Sequence, residues 1–209
     1  MSLTQRNAIF RSTNLINIVS GVLAKLGRVP VTNIQDSNDA IIIAHQMPLF
    51  LGELLLKAPW TFATKYYFTN TPITVNLEQN PLISFQYQNN FALPYDYGRF
   101  WRFVGLNSPT FGLDYQIIDN VFQCNTSFLA MYYTVNFCEY SAITNQAFLA
   151  ALIHYAASQV ALSLTNRMDL KQEQEAEYLT KIGDAISQNA YEQELVQTAY
   201  NDFSRRTYI

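Results

Sequence analysis

The sequence predicts an α+β fold in which helices at both ends of the chain form a bundle and the middle forms an inserted β-rich layer. Three observations support this: residues 12–59 repeat apolar side chains at helical spacing, residues 61–139 are rich in β-formers, and residues 141–200 return to helical spacing. No repeat or low-complexity linker intervenes, so we predict a single domain over residues 1–209. Within it we predict a helical part (1–60 and 141–200), a β-rich insert (61–140) and a C-terminal tail (201–209).

Four helices are predicted from apolar spacing and from the residues that begin and end helices. Gly27 and Pro30 follow the first helix, and Pro48 predicts a kink or break in the second near residues 44–47. The third is apolar almost all round, which predicts a central buried helix. The predicted ranges are about 13–26, 37–58, 145–164 and 169–200.

The middle of the chain contains one clear hairpin signal. Asp119-Asn120 separates two β-forming runs, Tyr115–Ile118 and Val121–Cys124, and suits a two-residue turn. Further strands are predicted at Lys65–Thr69, Ile83–Tyr87 and Leu129–Phe137. The segment Phe100–Phe103 combines aromatic residues with an arginine. It fits either a core strand whose arginine reaches solvent or a contact surface.

A helical wheel of the fourth helix predicts one core face and one acidic face. Leu179, Ile182, Ile186 and Ala190 fall within about an 80° arc. Glu173, Glu177 and Asp184 fall within about 40° on the far side, while Glu175 lies toward the apolar arc. The acidic stripe fits either an ordinary solvated face or the wall of a channel.

Composition narrows the class of protein. Charged residues are 14% of the chain, well below the usual ~25%, and most of its polar side chains are neutral, including 14 tyrosines. Such surfaces are typical of protein–protein interfaces. A net charge of −3 disfavours a chain-wide nucleic-acid footprint. No apolar run reaches ~18 residues, and residues 1–11 lack an apolar core, so we expect no membrane span and no secretory signal.

Residues that carry chemistry are few. Cys124 and Cys138 are interpreted as buried free thiols, and His45 and His154 as core-edge histidines, because neither histidine has a ligand at helical spacing. No nucleotide-binding glycine loop or nucleophile elbow occurs, so we expect no enzyme, no cofactor and no metal. One alternative is a glycan hydrolase that uses a pair of carboxylates. The β-region candidates are Asp96, Asp114, Asp119 and Glu139.

Two further sites are predicted at junctions. Trp60 lies between the second helix and the first strand and is predicted to be buried there. The C-terminal tail is predicted to leave the helical pattern, and its aromatic and arginine residues are of the types found at interface hot spots. We therefore predict a partner interface made by Phe203, Arg205, Arg206 and Tyr208.

Four features together resemble a known family. Leu15–Val31 gives an apolar helix, a Leu-Gly stop and then Pro-Val, and Ala58–Phe62 gives an aromatic step from helix into strand. Phe91–Tyr97 gives an aromatic-x-Leu-Pro-x-Asp-aromatic turn, and an Ala-rich helix precedes a long helix containing Asp184-Ala185. Over nearly its whole length the chain resembles the tail tubular protein A family, the head-to-tail adaptors (gatekeepers) of short-tailed, podovirus-type bacteriophages.

The resemblance implies a structural protein of the virion tail, assembled in the host cytoplasm. It implies a ring, a dodecamer, that joins the portal protein to the tail nozzle protein, with tail fibres as possible neighbours. Genomic DNA would pass through the lumen without specific binding. Glu173, Glu177 and Asp184 are then candidate channel-lining residues, and the C-terminal tail is a candidate portal interface. A host oligomeric binding module is the remaining alternative.

Overall fold

The structure, a computed structural model, describes residues 13–74, 87–103 and 114–206, with the side chains of residues 13–14 and 194–206 left outside that description. It is an α+β fold in which N- and C-terminal helices flank a β region, as predicted. The chain divides into two compact units, with boundaries at Ala63/Thr64 and Asn136/Phe137. We call residues 64–136 the β unit and the rest the helical unit. These boundaries lie close to those predicted for the insert.

The helical unit contains four α-helices within the described residues. They are α1 (Thr13–Lys25), α2 (Asn38–Leu55), α3 (Gln146–Thr165) and α4 (Met168–Arg206), with short 3₁₀ turns at Ile34–Asp36 and Tyr140–Ala142. Gly27 ends α1 as predicted. Its φ of 70° allows Arg28 N–H to donate to Leu23 O at 2.8 Å.

The prediction at Pro48 was a kink or a break; helix α2 continues through this residue, so there is no break. A proline removes one backbone hydrogen bond, and the buried residues around it hold the helix together. Pro48 itself is exposed, whereas the nearby Ala44, Met47 and Leu51 are fully buried.

Helix α3 is the central helix of the helical unit, as predicted, and packs against α1, α2 and α4. Helix α3 is long enough and apolar enough in composition to cross a membrane, although the sequence has no uninterrupted apolar run of ~18 residues. Half of that stretch is buried inside the protein, as in a core helix. Asn145 begins α3 by accepting a hydrogen bond from Phe148 N at 2.9 Å.

Helix α4 extends to Arg206, six residues past the predicted end. The segment 201–206 is therefore helical in its backbone, and the prediction that it leaves the helical pattern is wrong. It contains no proline or glycine to stop a helix that has already formed.

The β unit contains two three-stranded antiparallel sheets. The first has the order β1-β6-β3 and the second β2-β5-β4. The strands are β1 (Thr64–Thr69), β2 (Asn89–Ala92), β3 (Tyr97–Phe103), β4 (Tyr115–Ile118), β5 (Val121–Cys124) and β6 (Leu129–Val135).

The predicted hairpin is confirmed, because β4 and β5 are joined by Asp119 and Asn120, both with positive φ. Strand β1 is also confirmed, and β6 ends two residues before the predicted Phe137. Strand β2 was not predicted, because asparagine is disfavoured in strands and β2 begins with Asn-Asn. It forms a strand through its pairing with β5. Of the predicted strand Ile83–Tyr87, residues 83–86 lie outside the described residues.

Candidate interaction surfaces

Helix α4 buries a stripe that differs from the predicted one. Its buried residues recur every three or four positions: Leu170, Gln174, Ile182, Ala185 and Asn189. Of the apolar residues predicted to face the core, Leu179 is 63% exposed and Ile186 39% exposed, and only Ile182 is buried. The predicted wheel ranked residues by hydrophobicity alone, whereas the buried stripe includes two amides that find hydrogen-bond partners.

The first of these amides, Gln174, partners a buried histidine. His154 Nδ1 lies 2.9 Å from Gln174 Oε1, between α3 and α4. Burial lowers the pKa of His154 and outweighs the opposing effect of the hydrogen bond to Gln174. His154 is therefore a packed structural residue, as expected, whereas His45 lies exposed on α2.

The second amide, Asn189, holds the chain at the helical unit's boundary. Its Oδ1 accepts Thr61 N–H at 2.9 Å and its Nδ2 donates to Pro59 O at 3.1 Å. Between these residues, Trp60 is fully buried, as predicted, and its Nε1 donates to Leu54 O at 2.9 Å. The indole packs edge-on against Phe148, with ring centroids 4.7 Å apart. The junction residue is thus an anchor of the helical unit.

We call Glu173, Glu177 and Asp184 the acidic arc, and all three are exposed. They lie about 100° around α4 from the buried stripe rather than directly opposite it. Lys181 Nζ approaches Asp184 Oδ2 at 3.9 Å, an exposed pair that contributes little. Exposure agrees with either prediction for these residues, solvated face or channel wall.

A second exposed region of α4 lies about 140° from the buried stripe on its other side. We call it the apolar arc: Leu179 and Ile186 with the small residues Ala176, Gly183 and Ala190, which recur at seven-residue intervals. A Cβ added at Gly183 would meet no described atom within 4 Å. Glu175 is exposed at the edge of this arc. The solvent side of α4 is thus divided into an acidic part and an apolar part.

The β unit presents a face rich in exposed aromatic rings on its first sheet. Tyr66 and Tyr132 are paired across β1 and β6 with ring centroids 5.8 Å apart, and Phe68 lies 6.1 Å from Phe128. The Arg102 guanidinium lies 4.8 Å from the centre of the Tyr132 ring. We call these residues, with Arg99 and Trp101, the aromatic face.

The Phe100–Phe103 segment is part of β3, and its side chains point to both sides of the sheet. Phe100 and Phe103 each lie 5.6 Å from Phe122 of the second sheet, in the core of the β unit. Trp101 and Arg102 point outward: Trp101 Nε1 donates to Thr134 Oγ1, and Arg99 stacks over the indole at 4.5 Å. The core prediction holds for the two phenylalanines, and the outward pair belongs to the aromatic face.

Asp96 fastens the turn that precedes β3. Lys65 Nζ donates to Asp96 Oδ2 at 2.6 Å, and Tyr133 OH donates to Oδ1 at 2.8 Å. The Asp96 backbone oxygen accepts Asn136 N–H at 2.9 Å. Burial acts to raise the pKa of Asp96, but the bonds from Lys65 and Tyr133 outweigh it and lower that pKa. The Leu-Pro-x-Asp segment therefore has a structural role within the β unit.

The other predicted residues take separate positions. Asp114 and Asp119 are exposed in the β unit, and Glu139 is exposed in the helical unit. Cys124 is a buried free thiol as predicted, whereas Cys138 is half-buried, and burial raises its thiol pKa to about 11. The side chains of Phe203, Arg205 and Arg206, and all of Tyr208, lie outside the described residues.

The described part of the chain holds no group of three or more histidine, cysteine or acidic side chains placed to bind a metal ion. No family model and no curated protein sequence matches this chain.

Proposed function

We propose that this chain is a structural virion protein, a ring-forming head-to-tail adaptor that joins a portal protein to a tail nozzle and lines the genome ejection channel. The proposal draws its identity from the family resemblance of the sequence. Its support from the fold is that Trp60 and Asp96, the most specific residues of that resemblance, both hold structural junctions.

The observation that carries the proposal is the divided solvent side of α4. A ring closes through heterologous contacts, so each subunit needs two different contact surfaces and a separate surface toward the lumen. A monomer surface needs no such division. In α4 one arc is acidic and another is apolar, and a third is already buried in the helical unit.

The acidic arc suits the wall of a DNA channel. Each phosphate bound by a cation releases counterions and stabilises the bound state, so a conduit is expected to avoid cations. Glu173, Glu177 and Asp184 repeated around a ring would form a negative band. Its field extends about a Debye length, ~8 Å at physiological salt, which is sufficient to repel nearby phosphates.

The end of α4 is proposed to bind the portal through Phe203, Arg205, Arg206 and Tyr208. Since the backbone is helical to Arg206, most of these residues belong to the last turns of α4. Deleting residues 201–209 is expected to leave the fold intact and to abolish portal binding. Normal portal binding by the truncated protein would exclude this site.

The state of Asp96 does not suit the general acid of a glycan hydrolase. A general acid needs a raised pKa, and that of Asp96 is lowered by its partners. A host oligomeric binding module remains the other candidate class. It predicts self-association without affinity for portal or nozzle.

The deciding experiment is a mass measurement of the purified protein alone, with portal and with nozzle, by light scattering and native mass spectrometry. The proposal predicts a closed ring of about twelve copies that binds both partners. A protein that forms no ring under any of these conditions contradicts it, and a ring that ignores portal and nozzle favours the host module.

The channel assignment has its own test. Replacing Glu173, Glu177 and Asp184 by lysine should preserve the fold, since all three are exposed, and should cause salt-sensitive DNA retention and slower ejection. The matched control replaces them by Gln, Gln and Asn, which removes charge without reversing it. Normal ejection by the lysine variant would make the acidic arc an ordinary solvated face.

A further inference from the structure

We infer that the aromatic face of one copy packs on the apolar arc of α4 of a second copy, with Arg102 opposite Glu175. The inference rests on the proposed ring and identifies one of its subunit contacts.

The aromatic face has the chemistry of an interface core. Tyr66 is 54% exposed, Phe68 53% and Phe128 47%; Tyr66 and Phe68 both belong to β1, and the Phe68 ring lies beside that of Phe128, which precedes β6. Contiguous exposed aromatic surface on a folded protein marks an interaction site, and tyrosine and arginine are enriched at such sites.

The apolar arc offers a matching surface. Leu179 and Ile186 supply apolar contacts, while the small residues between them leave room for rings to approach the helix backbone. Gly183 supports this reading, because glycine inside a helix costs about 1 kcal/mol relative to alanine. No described atom of the chain lies close enough to require a glycine there. Close approach by a second copy would explain why a glycine stands at position 183.

Charge complementarity selects a second copy as the occupant. The aromatic face carries Arg102, whose guanidinium lies over the Tyr132 ring, and the described carboxylates of the β unit lie elsewhere: Asp96 is bound by Lys65, and Asp114 and Asp119 flank strand β4 of the second sheet. Among the described side chains of α4, five carboxylates are exposed, and one of them, Glu175, borders the apolar arc. Packing two apolar arcs against each other would bring like charges together, whereas the aromatic face brings opposite ones.

The two surfaces are different, so the contact is heterologous. Each copy then offers an aromatic face to one neighbour and an apolar arc to the other. This arrangement propagates around a ring, and it leaves the acidic arc uncovered.

Cross-linking tests the contact directly. The double variant Phe68→Cys/Leu179→Cys, treated with a short bis-maleimide reagent, should give a ladder of covalent oligomers. The unmodified protein, each single variant and the control Phe68→Cys/Leu49→Cys should not, since Leu49 is equally exposed but lies on α2. Dimers from Leu179→Cys alone would show a symmetric α4 contact and overturn the inference.

Charge reversal tests the ion pair. Arg102→Glu and Glu175→Arg should each weaken self-association at least tenfold, and the double variant should restore it. The control Lys57→Glu, an exposed lysine on neither surface, should have no effect. If Arg102→Glu instead lowers binding of single-stranded DNA and leaves association unchanged, the aromatic face is a nucleic-acid surface and the inference is wrong. Far-UV circular dichroism confirms that each variant is folded.

The outcomes separate this inference from the proposed function. A closed ring without the Phe68–Leu179 ladder overturns the contact and leaves the adaptor intact. A ladder from particles that never close into a ring supports the contact and contradicts the adaptor.

Discussion

The helical unit and the β unit differ in how the polar side chains in and near their cores are bonded. In the helical unit, buried amides of α4 complete backbone or histidine hydrogen bonds: Asn189 to Pro59 and Thr61, and Gln174 to His154. In the β unit the buried amide of Gln123 donates to Asn90, and a partly exposed ion pair, Lys65 with Asp96, fastens the turn beside the stacked Tyr97 and Tyr133 rings. The helical unit therefore depends on the fit of individual side chains, and the β unit on close approach of backbone strands.

Gly98 illustrates the second kind of dependence. It lies in β3 at an irregularity of the pairing with β6, and an added Cβ would lie 2.8 Å from Thr134 O and 2.9 Å from Asn136 N. Trp60 illustrates the first, because one side chain fills the centre of the helical unit. The following predictions challenge this contrast, in order of expected size.

The largest effect is expected at Trp60. Trp60→Ala removes a fully buried indole and one of the N–H groups that donate to Leu54 O, so we expect a loss of about 3–5 kcal/mol in the free energy of unfolding. Chemical denaturation followed by circular dichroism measures it. The matched change Trp101→Ala, on the half-exposed indole of the β unit, should cost much less. Equal costs would remove the contrast between the units.

Gly98→Ala is expected to cost about 1–3 kcal/mol, because the new methyl group would lie within 3 Å of backbone atoms of residues 134–136 and would force the strands to shift. Amide hydrogen exchange should show the loss of protection in β3 and β6 first. Unchanged exchange in these strands would mean that the sheet adjusts freely and that backbone packing does not limit it.

The two units should also lose stability in different pH ranges. Burial lowers the pKa of His154 below its ordinary 6.5, so the neutral form favours folding, and this contribution is present above about pH 6.5 and is lost as the pH falls below it. The pKa of Asp96 lies below its ordinary 3.8, so its contribution is present above that value and is lost only below about pH 4.

Hydrogen exchange between pH 7 and 3 checks these ranges. Protection in α3 and α4 should fall first, and His154→Gln should remove that early loss. Protection around the β3 turn should fall only in acid, with Asp96→Asn reducing the change. An early loss in the β unit would contradict the assignment.

The same contrast explains what could be predicted from sequence. Helix α3 and the Asp119-Asn120 hairpin were predictable because local spacing and turn chemistry determine them. Strand β2 was not, because it exists through its pairing with β5. The buried stripe of α4 was also missed, since nothing in the sequence indicates that Gln174 and Asn189 find partners 20 and 128 residues away. The acidic arc was predictable as exposed, but its neighbour, the apolar arc, was mistaken for core.

The smallest expected effect, at Gly183, distinguishes an apolar arc that contacts a neighbouring subunit from one that is simply exposed to solvent. Gly183→Ala places a methyl group in open space on α4, so the isolated subunit should gain up to about 1 kcal/mol from helix propensity alone. If the apolar arc packs against a neighbour, the same methyl group intrudes on that contact, and self-association should weaken while the monomer becomes more stable. The neighbouring exposed position Ser187, changed to alanine, provides the control on the same helix face toward the acidic side. Denaturation at low concentration and light scattering at high concentration measure the two quantities separately. A variant that is more stable and associates normally would mean that no partner approaches Gly183.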